Sequence, residues 1–241
     1  MSEARSVAPR YAVPSSARAV LAIAALTWRR ALRGRAPWVT AVLALLPVLY
    51  ASLTYRYAHR GDSQFARGVF GIVLLTLAIS PAMNVASSLG EELEERTSAY
   101  LWSRPLARWT IAAGKLLALT PMVAVGAIAG IMLAHLSSDG DVPSGQVIAG
   151  VGLAALAFCI VAAAIATIAP KNGMTLAICY ALFIDLALGA LPISLRNISI
   201  SYHATSIAGM SVDSVSSGVV GIAVIVAIWS AIGLWRIRNI E

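Results

Sequence analysis

The sequence predicts an all-α membrane protein: six transmembrane helices preceded by an amphipathic interfacial helix, with both termini cytoplasmic. Three observations predict it. Apolar side chains make up 59 % of the 241 residues and charged ones only 12 %, with a mean hydropathy of +0.80, whereas soluble domains carry about 25 % charged residues. Six long apolar runs divide the chain, and its basic residues crowd onto alternate connectors. This division leaves no room for a soluble catalytic domain of about 100 residues or more, so any chemistry sits within the membrane or on a partner.

The runs are 38–55, 68–89, 116–136, 146–169, 174–192 and 214–235. Even the first, at about 1.5 Å per residue, covers about 27 Å of a hydrocarbon layer near 30 Å thick. Backbone groups in hydrocarbon have no water to bond, and the runs are too long and unalternating for barrel strands, so each reads as a helix. With the N-terminus inside, the cytoplasmic segments hold Arg5, Arg10, Arg18, Arg29, Arg30, Arg33, Arg35, Arg96, Arg104, Arg108, Lys115, Lys171, Arg236 and Arg238. The opposite side holds only Arg56, Arg60, Arg67 and Arg196. Basic residues favour the cytoplasmic side of short loops, which places both termini there. Topology and anionic lipid account for the net charge of +7 without nucleic acid.

Residues 1–16, with two prolines and few apolar side chains, read as a disordered tail. The apolar stretch 19–26 is too short to span and is followed by Arg29, Arg30, Arg33 and Arg35, so it reads as neither span nor cleavable signal. Residues 17–35 instead read as a helix lying in the interface. On a helical wheel Arg18, Arg29, Arg30 and Arg33 share one sector, opposite Val20, Leu21, Ala24, Trp28, Ala31 and Leu32, with Ile23 and Leu26 blurring the division. Cys159 and Cys179 both lie in apolar runs and read as packing residues.

The densest polar stretch joins spans two and three, over 90–108. It holds Glu91, Glu92, Glu94 and Glu95, four of the eleven acidic residues. An anionic leaflet would not select such a cluster, so the choice lies between a solvated acidic helix end and a surface for a protein partner. Ser88 and Glu91 have capping-box spacing, and Ser103-Arg104-Pro105 reads as a helix start. The spacing therefore predicts a short cytoplasmic helix from Glu91 to Trp102 between two breaks.

The run Glu95-Arg96-Thr97-(x)3-Leu101-(x)1-Ser103-Arg104-Pro105-Leu106-(x)1-Arg108-Trp109-(x)4-Gly114-Lys115 resembles the signature after the second helix of ABC type 2 exporter permeases. The match covers about 25 residues, and Arg96 stands where many relatives carry glycine. The resemblance implies a transmembrane half whose inner connector, the coupling helix, docks into a separate ATP-binding subunit. It implies a dimer with a second permease subunit, homo- or heteromeric, in a bacterial plasma membrane. By position Glu91 to Leu101 would be that helix, with Glu91, Glu92, Glu94 and Glu95 as orienting charges, Tyr100, Leu101 and Trp102 as apolar anchors, and Arg96 and Thr97 also in the partner-binding segment. Arg104, Arg108 and Lys115 read either as partner contacts or as side chains reaching lipid phosphate. Gly114-Lys115 is followed by Leu116, and Trp109 stands five residues before Gly114, so the phosphate-cradling loop is absent. ATP and Mg are therefore expected on the partner; no cofactor, metal or catalytic residue is assigned to this chain.

Within the spans, Asp185 is the one deeply placed acid, at an insertion cost of about 2.5–3.5 kcal/mol if ionised. It reads as a translocation-path or switch residue, or else as a hydrogen-bonded packing group. Asn84 and His135 carry the same two readings. Pro47, Pro81 and Pro121 each remove a backbone donor and are candidate hinges. Gly126 and Gly130 allow close helix approach, as ordinary packing or as a dimer seam. The serine-rich connector 194–213 is too short for a domain; by the resemblance it holds short re-entrant helices at the outer exit.

Two other classes compete. Glu91-Glu92-(x)3-Arg96 matches a motif of intramembrane glutamate proteases, but His59, His135 and His203 all fall on the outer side, away from the glutamates. An ion-coupled secondary transporter could use Asp185 as a proton site, yet gives no reason for the acidic connector.

Overall fold

In the computed structural model the described residues are 15–34, 36–55, 63–94, 109–138, 140, 142–192 and 194–238. Among them the regular structure is helical throughout, without strands. Six helices are long and apolar enough to cross a membrane: Ala36–Thr54, Gln64–Glu92, Trp109–Ser138, Gly145–Ile168, Pro170–Ala190 and Val215–Arg238. All six expected runs are found, and the chain is a multi-pass membrane protein. The observed helices two and three are longer than their apolar runs, because polar turns at their ends stay helical once a neighbouring helix bonds their side chains.

Burial separates the spans into layers. Span two is 72 % buried over its most apolar window and span four 67 %, against 17 % for spans one and six. The central helices are therefore two and four. Span four can occupy the middle because its inward positions are small: Ala154, Ala155, Ala157, Ala162 and Ala166 let neighbouring backbones close in. Spans one, five and six turn large apolar side chains outward, among them Val42, Leu45, Leu49, Leu53, Phe183, Val220, Val224 and Ile228. Continuous apolar surface of this kind belongs in lipid rather than water.

Span one lies along span three, and Gly126 and Gly130 are the contact. A Cβ on Gly130 would sit 2.9 Å from the Ala44 carbonyl oxygen, and one on Gly126 would meet Thr40 Cγ2 at 2.2 Å. The glycine pair thus packs two helices of the same chain, the ordinary-packing alternative.

A separate helix, Ser16–Arg33, precedes span one. It faces the start of span three through Ala19, Val20, Ile23 and Ala24, and Gly114 of span three leaves room for Ile23. Ile23, which blurs the sequence wheel, is thus a bundle contact. Leu21, Leu26, Trp28 and Leu32 are left exposed, so the helix has two apolar faces, one toward protein and one outward.

Two spans contain π-helical turns, at Ala82–Ala86 and at Tyr180–Leu186. Such turns widen the helix by one residue and leave a carbonyl without its usual partner, often at functional positions. Pro81 immediately precedes the first; the second has no proline in it. Pro47 and Pro121 lie inside helices that continue past them.

Candidate functional site

Among the described residues the polar chemistry gathers in two places, one at the end of the bundle where span two ends and span three starts and one at the opposite end. At the first, span two does not break before the acidic cluster. Ser87–Glu94 continues it directly from the π turn, so Ser88 is not the start of a new helix and the capping-box expectation is corrected. Its hydroxyl is engaged elsewhere. Lys115, near the start of span three, is buried at 3 % exposure. Its Nζ donates to the Ser88 carbonyl, to Ser88 Oγ at 3.0 Å, and pairs with Glu92 Oε1 at 2.8 Å. A helix break at Ser88 would scatter these acceptors, whereas an unbroken turn presents Ser88 and Glu92 four residues apart on one face.

Lys115 therefore points inward to protein, not out to lipid phosphate. The Glu92 side chain is 28 % exposed and keeps one edge in contact with solvent. Gly90 on the same turn lies against the loop joining spans four and five; a Cβ there would be 2.7 Å from the Pro170 carbonyl oxygen. Beside this foot lies a cavity of about 410 Å³, lined in part by Arg30, Asn84, Ser88, Glu91 and Leu119. Glu95, Arg96, Thr97, Tyr100, Leu101 and Trp102, and the side chain of Glu94, lie outside the described residues.

At the opposite end stands Asp185, in the second π turn and 1 % exposed. Its carboxylate accepts the backbone N–H of Ile200 at 2.6 Å and of Ser201 at 3.0 Å. The hydroxyls of Ser199 and Ser201 donate to its carbonyl oxygen at 3.0 and 3.2 Å. The acid thus holds the first turn of the short helix Ile200–Ile207, whose N-cap Ser199 also accepts from the Tyr202 N–H. An anion at a helix start satisfies orphan amides and complements the helix dipole. The serines occupy a carbonyl in the widened turn, so side chain and main chain of one residue are both tied to the same helix.

Asn84 sits in the first π turn at 5 % exposure. Its Nδ2 donates to the Ser80 carbonyl at 2.9 Å, to Ser80 Oγ at 3.2 Å and to Thr40 Oγ1 of span one at 3.3 Å. It is a helix-to-helix link. His135 bonds only locally in the contacts seen, through Nδ1 to Ile131 of its own helix at 3.0 Å. Asp185, Asn84 and His135 therefore lie in three separate environments. Among the described residues no group of three or more His, Cys, Asp or Glu side chains could hold a metal ion.

Next to the Asp185 tie, Tyr202 donates its hydroxyl to Asp213, and Arg196 lies over the ring at 4.5 Å from its centroid. The bond to Asp213, with burial, pushes the phenol pKa up, against a smaller opposing effect of Arg196. His203 is buried and bonds the Asn197 carbonyl at 2.9 Å. Sequence reasoning missed the serine pair, the second π turn and the roles of Lys115 and His203. The only available signal was the spacing Ser199-Ile200-Ser201, a polar pair before an apolar helical stretch. Compared with family models and with curated proteins, the chain has no match in either.

Proposed function

We propose that the chain is the membrane-spanning permease subunit of an ATP-driven ABC exporter, moved by a separate ATP-binding subunit that carries ATP and Mg. The observation that carries this reading is the run from Glu95 to Lys115, which resembles the coupling segment of type 2 exporter permeases, set on a foot built to transmit force. Span two has 29 residues and span three has 30; at about 1.5 Å each they reach about 44 Å, well beyond a hydrocarbon core of about 30 Å. Their polar ends are bolted together by Lys115, Ser88 and Glu92. A push on the connector would then be delivered to two spans as rigid-body displacement.

In this reading both termini and the connector are cytoplasmic, the membrane is a bacterial plasma membrane, and a second permease subunit completes a dimer. The helix Ser16–Arg33 lies at the inner interface, with Leu21, Trp28 and Leu32 in lipid. An ion-coupled carrier would need Asp185 as a proton site, but both of its carboxylate oxygens already accept backbone amides. Affinity purification from native membranes tests the proposal. A soluble nucleotide-binding polypeptide is expected to co-purify with the wild type and to be lost in the Tyr100→Ala/Leu101→Ala/Trp102→Ala variant. Equal recovery with both would remove the docking role of that segment.

A further inference from the structure

At the end of the bundle that holds Asp185, Arg67 from the first turns of span two and Arg196 from the turn Ser194–Ile198 line one cavity of about 330 Å³. Among the described residues the rest of its wall is Tyr202 and the segment Gly209 to Val212. Two permanently charged guanidiniums therefore share a space whose lining, among the described residues, contains no carboxylate, so an entering anion would meet positive charge from two elements. Asp213 on the adjoining loop is occupied by the Tyr202 hydroxyl. Arg196 is also held in place, since it lies over a ring that is itself buried and tethered. A fixed fork loses less freedom on binding than a free one, and guanidinium forks match the oxygens of phosphate in pairs.

We propose that this cavity binds a phosphate group, gripped between the Arg67 and Arg196 guanidiniums. Met210 and Val212 on the same rim would lie beside an attached acyl chain, so the phosphate can come from a phospholipid headgroup or from a free anion. The site stands on its own geometry and does not depend on ATP-driven transport.

Calorimetric titration of the purified full chain in a neutral detergent tests it, with inorganic phosphate, dihexanoyl phosphatidate and dihexanoylglycerol as probes. Saturable binding of at least one phosphate probe below about 10 mM is expected, with dihexanoylglycerol silent. A preference of about tenfold or more for phosphatidate assigns a lipid source, and a smaller one assigns the free anion. The Arg67→Gln/Arg196→Gln variant is expected to lose affinity by about tenfold or more. Failure of both phosphate probes to bind, equal binding of dihexanoylglycerol, or a smaller loss in the double variant overturns the proposal. Should the double variant not elute as a folded protein, Arg67→Gln alone decides. Arg67 is exposed, and its loss is expected to weaken binding by about threefold or more, a smaller change overturning the site.

Discussion

Among the described residues each end of the bundle buries one Asp or Lys side chain, and the two are satisfied in different ways. Lys115 is answered by a second charge, Glu92, that remains partly in contact with solvent. Asp185 is answered by backbone amides and is sealed from solvent. The difference separates a joint from an anchor. When such a pair parts, Glu92 can hydrate while Lys115 keeps its bonds to the Ser88 oxygens. A carboxylate holding a helix start has no substitute partner, so its loss strands buried amides.

The largest effect is therefore expected at Asp185. Replacing it with alanine leaves the Ile200 and Ser201 amides unpaired and should lower stability by about 2–4 kcal/mol, with asparagine, which retains one acceptor, costing about half of that. Thermal unfolding in detergent measures both; unchanged midpoints would mean that the amides find other partners. Gly90→Ala comes next. The added methyl meets the Pro170 carbonyl oxygen, and such overpacking costs about 1–3 kcal/mol. A stable Gly90→Ala protein would show that the foot and the loop between spans four and five are not in firm contact.

Lys115→Met sharpens the contrast. It should change stability by less than about 1 kcal/mol, because Glu92 can hydrate and an apolar side chain suits the site. Yet in the proposed role of permease subunit, ATP-coupled transport should fall by about tenfold, since the variant lacks the tie between spans two and three. A destabilisation as large as that of Asp185→Ala would erase the distinction between joint and anchor. His135→Ala, whose observed bond is to its own helix, should stay within about 0.5 kcal/mol in the same unfolding assay.

The two ends were also unequally legible. The six spans were visible because hydrophobicity alone specifies them. Asp185 was visible because a carboxylate in an apolar run has to be explained. Its partners were not, since Ile200 and Ser201 lie 15 and 16 residues on, and backbone amides leave no mark in a sequence. Lys115 read as either a partner contact or a lipid-reaching cation because nothing local shows that span two stays helical past Ser88. Of the three prolines, Pro81 immediately precedes a π turn, whereas Pro47 and Pro121 lie inside helices that continue past them. The turn at 180–186 carries no such marker; it exists where Asp185 and its carbonyl are drawn to one helix.

The central claim is that a nucleotide-binding partner grips the connector between spans two and three. A photo-crosslinking residue at position 101 in native membranes tests it most directly. The expected result is an adduct with a soluble polypeptide that is itself labelled by a photoreactive ATP analogue. Transport activity from the purified chain alone, with no nucleotide-labelled adduct at that position, would contradict it.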